Sequence, residues 1–483
     1  MSTDVPLAIN SKPYQNVDPI ELTGQSESLY DGYIDEAGST VSRPGLQSFI
    51  TLPNASPVIG SYWWESKSAV VVVTTDGKIY LITDVLGTNI TLSTANIVME
   101  GTNRPFFADN GEYVVIANGK RMVYSGGVAA DAVYINDVDA PDEVSHVAFL
   151  DQYLLANQIG TGQFHFADFI SIPSVWQAVD VYTAESNPDV IIGLYVLNRI
   201  INILGTQSVE FWINDGVSPF SRQEGTITSR GCMSYAATVI VNETLFFFDN
   251  RRRFVGLSGT SPNELSTPFD KTFQRLNNVT DCIIDFCTII GRKFLVISFP
   301  TDNRTFLYDI QGDYWAEWSL RNITDGSRTW FIGSTYVYAI DWNMHLWGSR
   351  QDSNVYEMTE DAYDDVGIPI GVSKTSGYID HGMPDKQKRS YKITFKFKTG
   401  IGIGTSGNTI PYARLRWQDV DTNGNLVWSN YRYINLQTQG HKGFIVTERN
   451  LGSYYIRKYQ IECTANVKFI IVSALEKIDL NDY

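Results

Sequence analysis

The 483-residue sequence has few cysteines and histidines, and it contains no long apolar run. The five histidines show no HxxxH or HxxE spacing, so we expect no metal site and no cofactor. No segment reaches the ~20 apolar residues that cross a bilayer, and the first residues show no pattern of a signal peptide. Four scattered cysteines predict buried free thiols in a protein made in a reducing cytoplasm: Cys232, Cys282, Cys287 and Cys463.

Catalytic motifs are missing as well. The sequence has no GxSxG nucleophile elbow and no GxxxxGK[ST] phosphate loop. Glu185 and Asp189 flank Pro188 and are the nearest approach to an acid/base pair, but loop carboxylates more often cap turns. We therefore expect no catalytic residue and no enzymatic activity.

Positive charge is scarce in the first three quarters of the chain. Residues 371–483 contain 16 Lys and Arg against 9 Asp and Glu, a net charge of +7. The whole-chain totals of 37 and 53 leave 21 basic and 44 acidic residues in 1–370, a net charge of −23. This split predicts two domains with different surroundings. The acidic segment is a poor candidate for gripping DNA, because DNA binding normally uses a basic face.

What the sequence does contain is a repeat of strand-like blocks around tight turns. Each turn separates an apolar block, such as Ala69–Val73, from a second strand-like block. The steps between turns are 41, 42, 45, 45, 52 and 41 residues, measured from Gly77 through Asn118, Gly160, Gly205, Asn250, Asp302 and Asn343. A period of this length predicts an all-β protein with a β-propeller of about seven blades.

The sequence divides into three predicted segments. Residues 1–56 form an extended N-terminal arm that completes the propeller, 57–370 form the β-propeller, and 371–483 form a C-terminal antiparallel β-sandwich. The blocks Tyr391–Lys398 and Ala413–Trp417 alternate between apolar and basic residues, so each should present one basic face. We expect these faces to meet an acidic partner or neighbouring subunit through Lys392, Lys396, Lys398, Arg414 and Arg416.

The fourth repeat, residues 184–212, reads AESNPDVIIGLYVLNRIINILGTQSVEFW. It resembles the packaged-DNA stabilisation proteins of short-tailed bacteriophages, also called tail hub or nozzle proteins. Residues 16–46 and 414–461 are similar to the opening and closing passages of the same family. The candidate motif residues are Glu185, Pro188, Asp189, Gly193, Glu210 and Trp212, which we expect to cap turns or to join blades or subunits.

The resemblance implies a structural virion protein of the phage tail, made in the bacterial host cytoplasm. Six copies would form a ring below the portal and the adaptor, or head-to-tail connector. The ring would continue the DNA channel, retain packaged double-stranded DNA without sequence-specific binding, and carry tail fibres or tailspikes beside a tail plug or needle. An acidic wall would let DNA slide past, because like charge removes the counterion-release gain of binding.

Two other classes of function remain open from the sequence. A carbohydrate-binding or carbohydrate-cleaving β-propeller would gather exposed aromatic residues and carboxylates in one pocket at the propeller mouth. A cytoplasmic propeller scaffold would need no such pocket. An oligomeric ring distinguishes the tail protein from both.

Overall fold

The computed structural model describes residues 3–16, 26–53, 56–94, 97–173, 175–184, 189–216, 219–223, 225–398, 410–420, 425–436 and 444–480. Within these residues the regular secondary structure is almost entirely β-strand, and most strand pairs are antiparallel. The short helical segments are three 3-10 turns, Glu65–Lys67, Thr267–Phe269 and Ile340–Trp342, and one helix, α1 (Asp270–Gln274). No helix in the described part is long and apolar enough to cross a lipid bilayer.

The N-terminal arm forms five short strands. They are β1 (Thr3–Pro6), β2 (Ser26–Tyr30), β3 (Gly32–Ile34), β4 (Thr40–Ser42) and β5 (Gly45–Thr51). Asp31 has a φ of 53° and turns the chain between β2 and β3. The arm therefore pairs with several different sheets along its length.

Five four-stranded antiparallel sheets follow the arm, each in simple meander order. Their strands are, for blade 1, β6–β9 (Val58–Trp64, Ala69–Thr74, Ile79–Ile82, Ile90–Leu92); for blade 2, β10–β13 (Phe106–Asp109, Val114–Ala117, Val123–Ser125, Val133–Tyr134); for blade 3, β14–β17 (Val147–Leu150, Tyr153–Asn157, Gln163–Asp168, Val181–Thr183); for blade 4, β18–β21 (Ile191–Leu197, Ile200–Gly205, Val209–Asn214, Phe220–Arg222); and for blade 5, β22–β25 (Thr238–Val241, Thr244–Phe248, Phe254–Ser258, Ser261–Glu264).

Blades 6 and 7 complete the propeller. Blade 6 contains β26–β29 (Ile283–Ile289, Arg292–Phe299, Arg304–Asp309, Tyr314–Arg321), and β30 (Arg328–Trp330) pairs with the end of β29. Blade 7 contains β31–β33 (Gly333–Ala339, Met344–Ser349, Asn354–Thr359). Its fourth strand is β5 of the arm, which pairs antiparallel with β33 from Gly45 opposite Thr359 to Thr51 opposite Asn354. The predicted β-propeller is confirmed, with seven blades in the described residues.

Burial between blades explains the strongest sequence pattern. All six residues of β7 are buried, as are Leu245–Phe248 of β23. Neighbouring blades cover both faces of these second strands, so the strands carry continuous β-branched and aromatic runs instead of alternating. The four cysteines are buried and free, as expected.

The seventh repeat is out of phase with the sequence prediction. The first six predicted turns join the second and third strands of their blades, but Asp341–Asn343 joins β31 and β32, the first and second strands. Asn343 has a φ of 53°, which suits a tight turn between the first and second strands as well as one between the second and third strands. The equivalent turn in blade 7 is 350–353, between β32 and β33.

After blade 7, β34 (Asp364–Asp365) and β35 (Ile368–Pro369) extend the sheet of that blade beside β5. The later strands build two sheets together with the arm. They are β36 (Val372–Ser376), β37 (Lys388–Lys398), β38–β40 (Tyr412–Val420, Leu426–Trp428, Arg432–Asn435) and β41–β43 (Phe444–Tyr454, Arg457–Cys463, Ile470–Leu480). One sheet contains β37, β41 and β43 with β1, β3 and β4; β36, β38–β40 and β42 continue from blade 6 through β2. Ile393, Phe395, Leu415 and Ile461 share one core. A separate sandwich over 371–483 stays a prediction, because arm strands belong to both sheets.

Candidate functional site

Asp189 caps the turn that joins β19 and β20. Its carboxylate accepts backbone hydrogen bonds from Thr206 (2.7 Å), Gln207 (2.8 Å) and Ser208 (2.9 Å). A Cβ at Gly205 would collide with this carboxylate, which accounts for glycine at that position. Burial opposes ionisation, but the hydrogen bonds outweigh it and hold the pKa of Asp189 below its usual value. An ionised, fully engaged carboxylate suits a turn cap and not a proton donor.

Three other motif residues lie inside the propeller. Trp212 is buried, packs edge to face on Phe164 of blade 3 at 5.3 Å between ring centroids, and donates from Nε1 to Glu210 Oε2 at 3.3 Å. A side chain at Gly193 would collide with the Tyr195 ring. These residues therefore join blades 3 and 4 in the interior of one chain.

The remaining motif residues, Glu185 and Pro188, lie outside the described residues. Of the four candidates that the structure describes, Asp189 is the one near the surface, and its carboxylate oxygens accept hydrogen bonds from the turn. A contact between subunits at this motif stays a prediction.

The first strands of the blades surround the propeller axis. β6 contacts β10 and β31, β14 contacts β10 and β18, and β26 contacts β22 and β31. Arg104, just before β10, forms a bidentate ion pair with Asp285 of β26, with Nη1–Oδ2 at 2.9 Å and Nη2–Oδ1 at 2.5 Å. Its Nη1 also donates to the Ser334 carbonyl of blade 7 at 3.1 Å. Because blades 2 and 6 are not neighbours, this ion pair crosses the axis.

Aromatic contacts fill the axis beside the ion pair. The His146 ring of blade 3 lies 3.9 Å from the Phe106 ring centroid, and its Nε2 is 3.0 Å from the Tyr195 hydroxyl. Burial lowers the pKa of His146 to about 3, so the imidazole is neutral at pH 7. The axis is therefore closed near the start of the first strands. Sequence reasoning missed these residues, because nothing near Arg104 in the sequence indicates a partner 181 residues away.

A cavity of about 660 Å³ remains along the rest of the axis. Its walls are mainly aromatic and aliphatic and include Tyr62, Trp63, Phe107, Ile240, Tyr336 and Tyr338. Asp285 is the one carboxylate among its described lining residues, and Arg104 already pairs with it. The pair of available carboxylates that a sugar-cleaving pocket needs is not found in this lining.

The basic face predicted on β37 forms as the alternation requires. Phe395 and Phe397 point into the core, while Lys396 and Lys398 are exposed. Lys392 lies across the sheet between Arg449 of β41 and Lys477 of β43, so three cations stand in one row. We call the surface formed by Lys392, Lys396, Lys398, Arg449 and Lys477 the β37 basic face.

Arg414 and Arg416 are instead engaged within the chain. Arg414 forms an ion pair with Glu462 at 2.8 Å and lies over the Tyr431 ring. Arg416 donates to Gln460 Oε1 at 2.6 Å and lies 4.2 Å from the Trp428 ring centroid. These contacts leave the two guanidinium groups less available to a partner than Lys396 and Lys398.

Metal-ligand chemistry is not assembled in the part of the chain that the structure describes, where no group of three or more His, Cys, Asp or Glu is placed to hold an ion. The Asp419 carboxylate, which precedes the polar segment 421–424, is paired with Arg457 at 2.5 and 2.7 Å. Residues 421–424 lie outside the described residues.

The family comparison covers the propeller. A family model described as bacteriophage P22 Gp10, beta-propeller, matches residues 30–363. The chain belongs to this family. The match runs from the end of β2 through all seven blades, and it confirms the predicted kinship with phage packaged-DNA stabilisation proteins. Membership of the P22 Gp10 family agrees with a structural role in a phage virion.

Similar solved structures share little sequence identity with this chain. The WD40 β-propeller domain of Doa1 is 11% identical, covers 66% of this chain and 97% of its own, and has a TM-score of 0.43. YCF48 bound to D1 peptide is 11% identical, covers 66% of this chain and 99% of its own, and has a TM-score of 0.42. The extracellular domain of BT4673 from B. thetaiotaomicron is 10% identical, covers 87% of this chain and 58% of its own, and has a TM-score of 0.45. Curated proteins gave no match.

Proposed function

We propose that this P22 Gp10 family member is a ring-forming hub of the phage tail. The observation that carries the proposal is the closed propeller axis. The Arg104–Asp285 ion pair crosses it, and the cavity beside it is about 660 Å³. A DNA duplex, whose major groove alone is ~12 Å wide, does not fit through one propeller. A DNA channel in this protein therefore has to lie between several copies.

In this proposal six copies form the ring, below the adaptor and above the fibres or tailspikes that it anchors. The ring continues the channel of the head and helps to retain packaged DNA. The net charge of −23 in residues 1–370 supports a lumen that DNA passes without sticking. The ring performs no catalytic step, in keeping with the paired state of Asp285 and the capping state of Asp189.

The β37 basic face is proposed to contact an acidic surface of a neighbouring copy or of the adaptor. Lys396 and Lys398 are exposed there, and the aliphatic side chains of Ile445 and Leu475 stand beside them at 68% and 44% exposure. A flat surface that combines cations with exposed aliphatic groups suits a protein partner of opposite charge.

Native mass spectrometry and electron microscopy of the purified chain, alone and with the adaptor, test the ring. A ring of six supports the hub, while a monomer that cleaves a polysaccharide contradicts it. The double variant Lys396→Glu/Lys398→Glu should weaken ring or adaptor assembly at least tenfold, and more at low salt. The matched control is Lys271→Glu/Lys386→Glu, which reverses two exposed cations elsewhere. Equal assembly of both variants would remove the basic face from the proposal.

A further inference from the structure

The axial cavity is closed at one end and open at the other. Arg104 and Ser334 lie where the first strands begin, so the ion pair closes that end. The cavity continues toward the turns that join first and second strands, between the side chains of Trp63, Phe107 and Tyr338. Its volume of about 660 Å³ falls in the usual range of ~300–1,000 Å³ for ligand sites.

The turns around the open end are acidic. Seven such turns surround the axis, one for each blade, and all seven are described. Five of them carry a carboxylate: Glu65, Glu112, Asp151, Glu243 and Asp341. The same turns contain two basic residues, Lys67 and Arg199, and Arg199 pairs with Asp151 at 2.7 Å. We call these five carboxylates the acidic rim.

We propose that this opening binds a protein segment in which one large aromatic or aliphatic side chain is flanked by lysine or arginine. The apolar side chain enters the axial cavity, and the flanking cations meet the acidic rim. This site is built within one chain, so the proposal does not depend on ring assembly.

The polar groups inside the cavity select against a charged or strongly polar guest. Asp285 is paired with Arg104, and the Tyr336 hydroxyl is 2.7 Å from His345 Nδ1. Ser61 and Thr335 hydroxyls bond to each other at 2.9 Å. A guest that buried its own charge would leave it without a partner, which is costly, whereas a ring packed on Trp63 and Tyr338 gains area and aromatic contacts.

The rim selects the charge of the flanking residues. Carboxylates on five turns attract cations and repel nucleic acid phosphates. A single large apolar side chain that fills a pocket can carry most of a binding energy, and the carboxylates around the pocket add attraction for flanking cations. A basic peptide with one large apolar residue satisfies both requirements.

Isothermal titration of the full chain with three peptides tests the proposal. The probe is Lys-Lys-Trp-Lys-Lys, and the comparison peptides are Lys-Lys-Ala-Lys-Lys and Glu-Glu-Trp-Glu-Glu. The probe should bind at least ten times more tightly than either, and its affinity should fall as salt rises. Equal binding of the alanine peptide would mean a general acidic surface without a cavity site, and it would overturn the proposal. Absence of binding at millimolar probe would overturn it too.

Two variants locate the site. Tyr338→Ala removes a cavity wall and should weaken probe binding at least tenfold, while Glu65→Gln/Glu243→Gln should weaken it and reduce its salt dependence. Asp142→Asn/Asp361→Asn, which neutralises two exposed carboxylates elsewhere, should leave binding unchanged. Thermal unfolding confirms that each variant is folded. Probe affinity that is the same in all three variants contradicts the assignment.

Discussion

The ion pair across the propeller axis should contribute strongly to the stability of the protein. Arg104 and Asp285 side chains are 16% and 9% exposed, and they join non-adjacent blades. Arg104→Met keeps the apolar stem but leaves the Asp285 carboxylate with one remaining donor, the Tyr336 backbone amide at 3.2 Å. We expect the free energy of unfolding to fall by about 3–5 kcal/mol, because a buried charge loses its partner.

A double-mutant cycle separates the pair from the packing around it. Asp285→Asn alone should also cost about 3–5 kcal/mol, whereas Arg104→Met/Asp285→Asn removes both charges and should cost little more than either single change. Urea unfolding followed by tryptophan emission measures these differences. Nine of the eleven tryptophans lie before residue 371, so the emission reports mainly the propeller.

An exposed ion pair supplies the matched control. Arg121 and Glu100 form a comparable contact, but their side chains are 37% and 43% exposed. Arg121→Met should cost at most about 1 kcal/mol, because solvent screens the pair. If Arg104→Met costs no more than Arg121→Met, or if the two axial single changes simply add in the double variant, the ion pair does not hold the blades together across the axis.

Three further predictions concern buried groups. Burial lowers the pKa of His146 to about 3. The neutral imidazole therefore contributes its full stability above the unfolded-state pKa of ~6.5, and the free energy of unfolding should fall by about 2 kcal/mol when the pH is lowered to 5. His146→Gln should flatten this pH dependence in melting curves. Burial lowers the pKa of Lys374 to about 7, because it disfavours the charged form. Lys374→Met should therefore raise the melting temperature at pH 7, and raise it less at pH 10. The Ser11 carbonyl, which accepts from Lys374, still accepts from the Ser26 hydroxyl in this variant. Gly205→Ala should cost about 1–3 kcal/mol through collision with Asp189, and limited proteolysis should detect cleavage at 205–208.

The sequence predicts the middle of each blade well. Neighbouring blades cover both faces of strands such as β7 and β23. Such strands therefore consist of continuous apolar runs, which can be recognised in the sequence alone. A turn-capping role for the Asp189 carboxylate was also predictable, because loop carboxylates commonly cap turns. The turn that it caps was not predictable, because Thr206 lies 17 residues further along the chain.

Contacts that form only when the seven blades close into the propeller were not predictable from the sequence. Arg43 is fully buried and pairs with Asp365, 322 residues away, and with Asp31. Arg104 meets Asp285 for the same reason, since the first strands converge on one axis only after every blade is in place. No local periodicity carries that information. The seventh turn was assigned to the wrong pair of strands for a different reason. Asp341 and Asn343 suit a turn between the first and second strands as well as one between the second and third strands.

The pairing of β5 with β33 also sets an order of events during synthesis. Gly45 leaves the ribosome more than 300 residues before Thr359, its eventual neighbour. At ~5–20 residues per second, the first strand waits on the order of 15–60 s for its partner. During that time β5 and the edge of blade 1 are unpaired strands, which other chains can join. A nascent chain that stops before residue 354 lacks β33, so β5 has no partner there and the seventh blade stays incomplete.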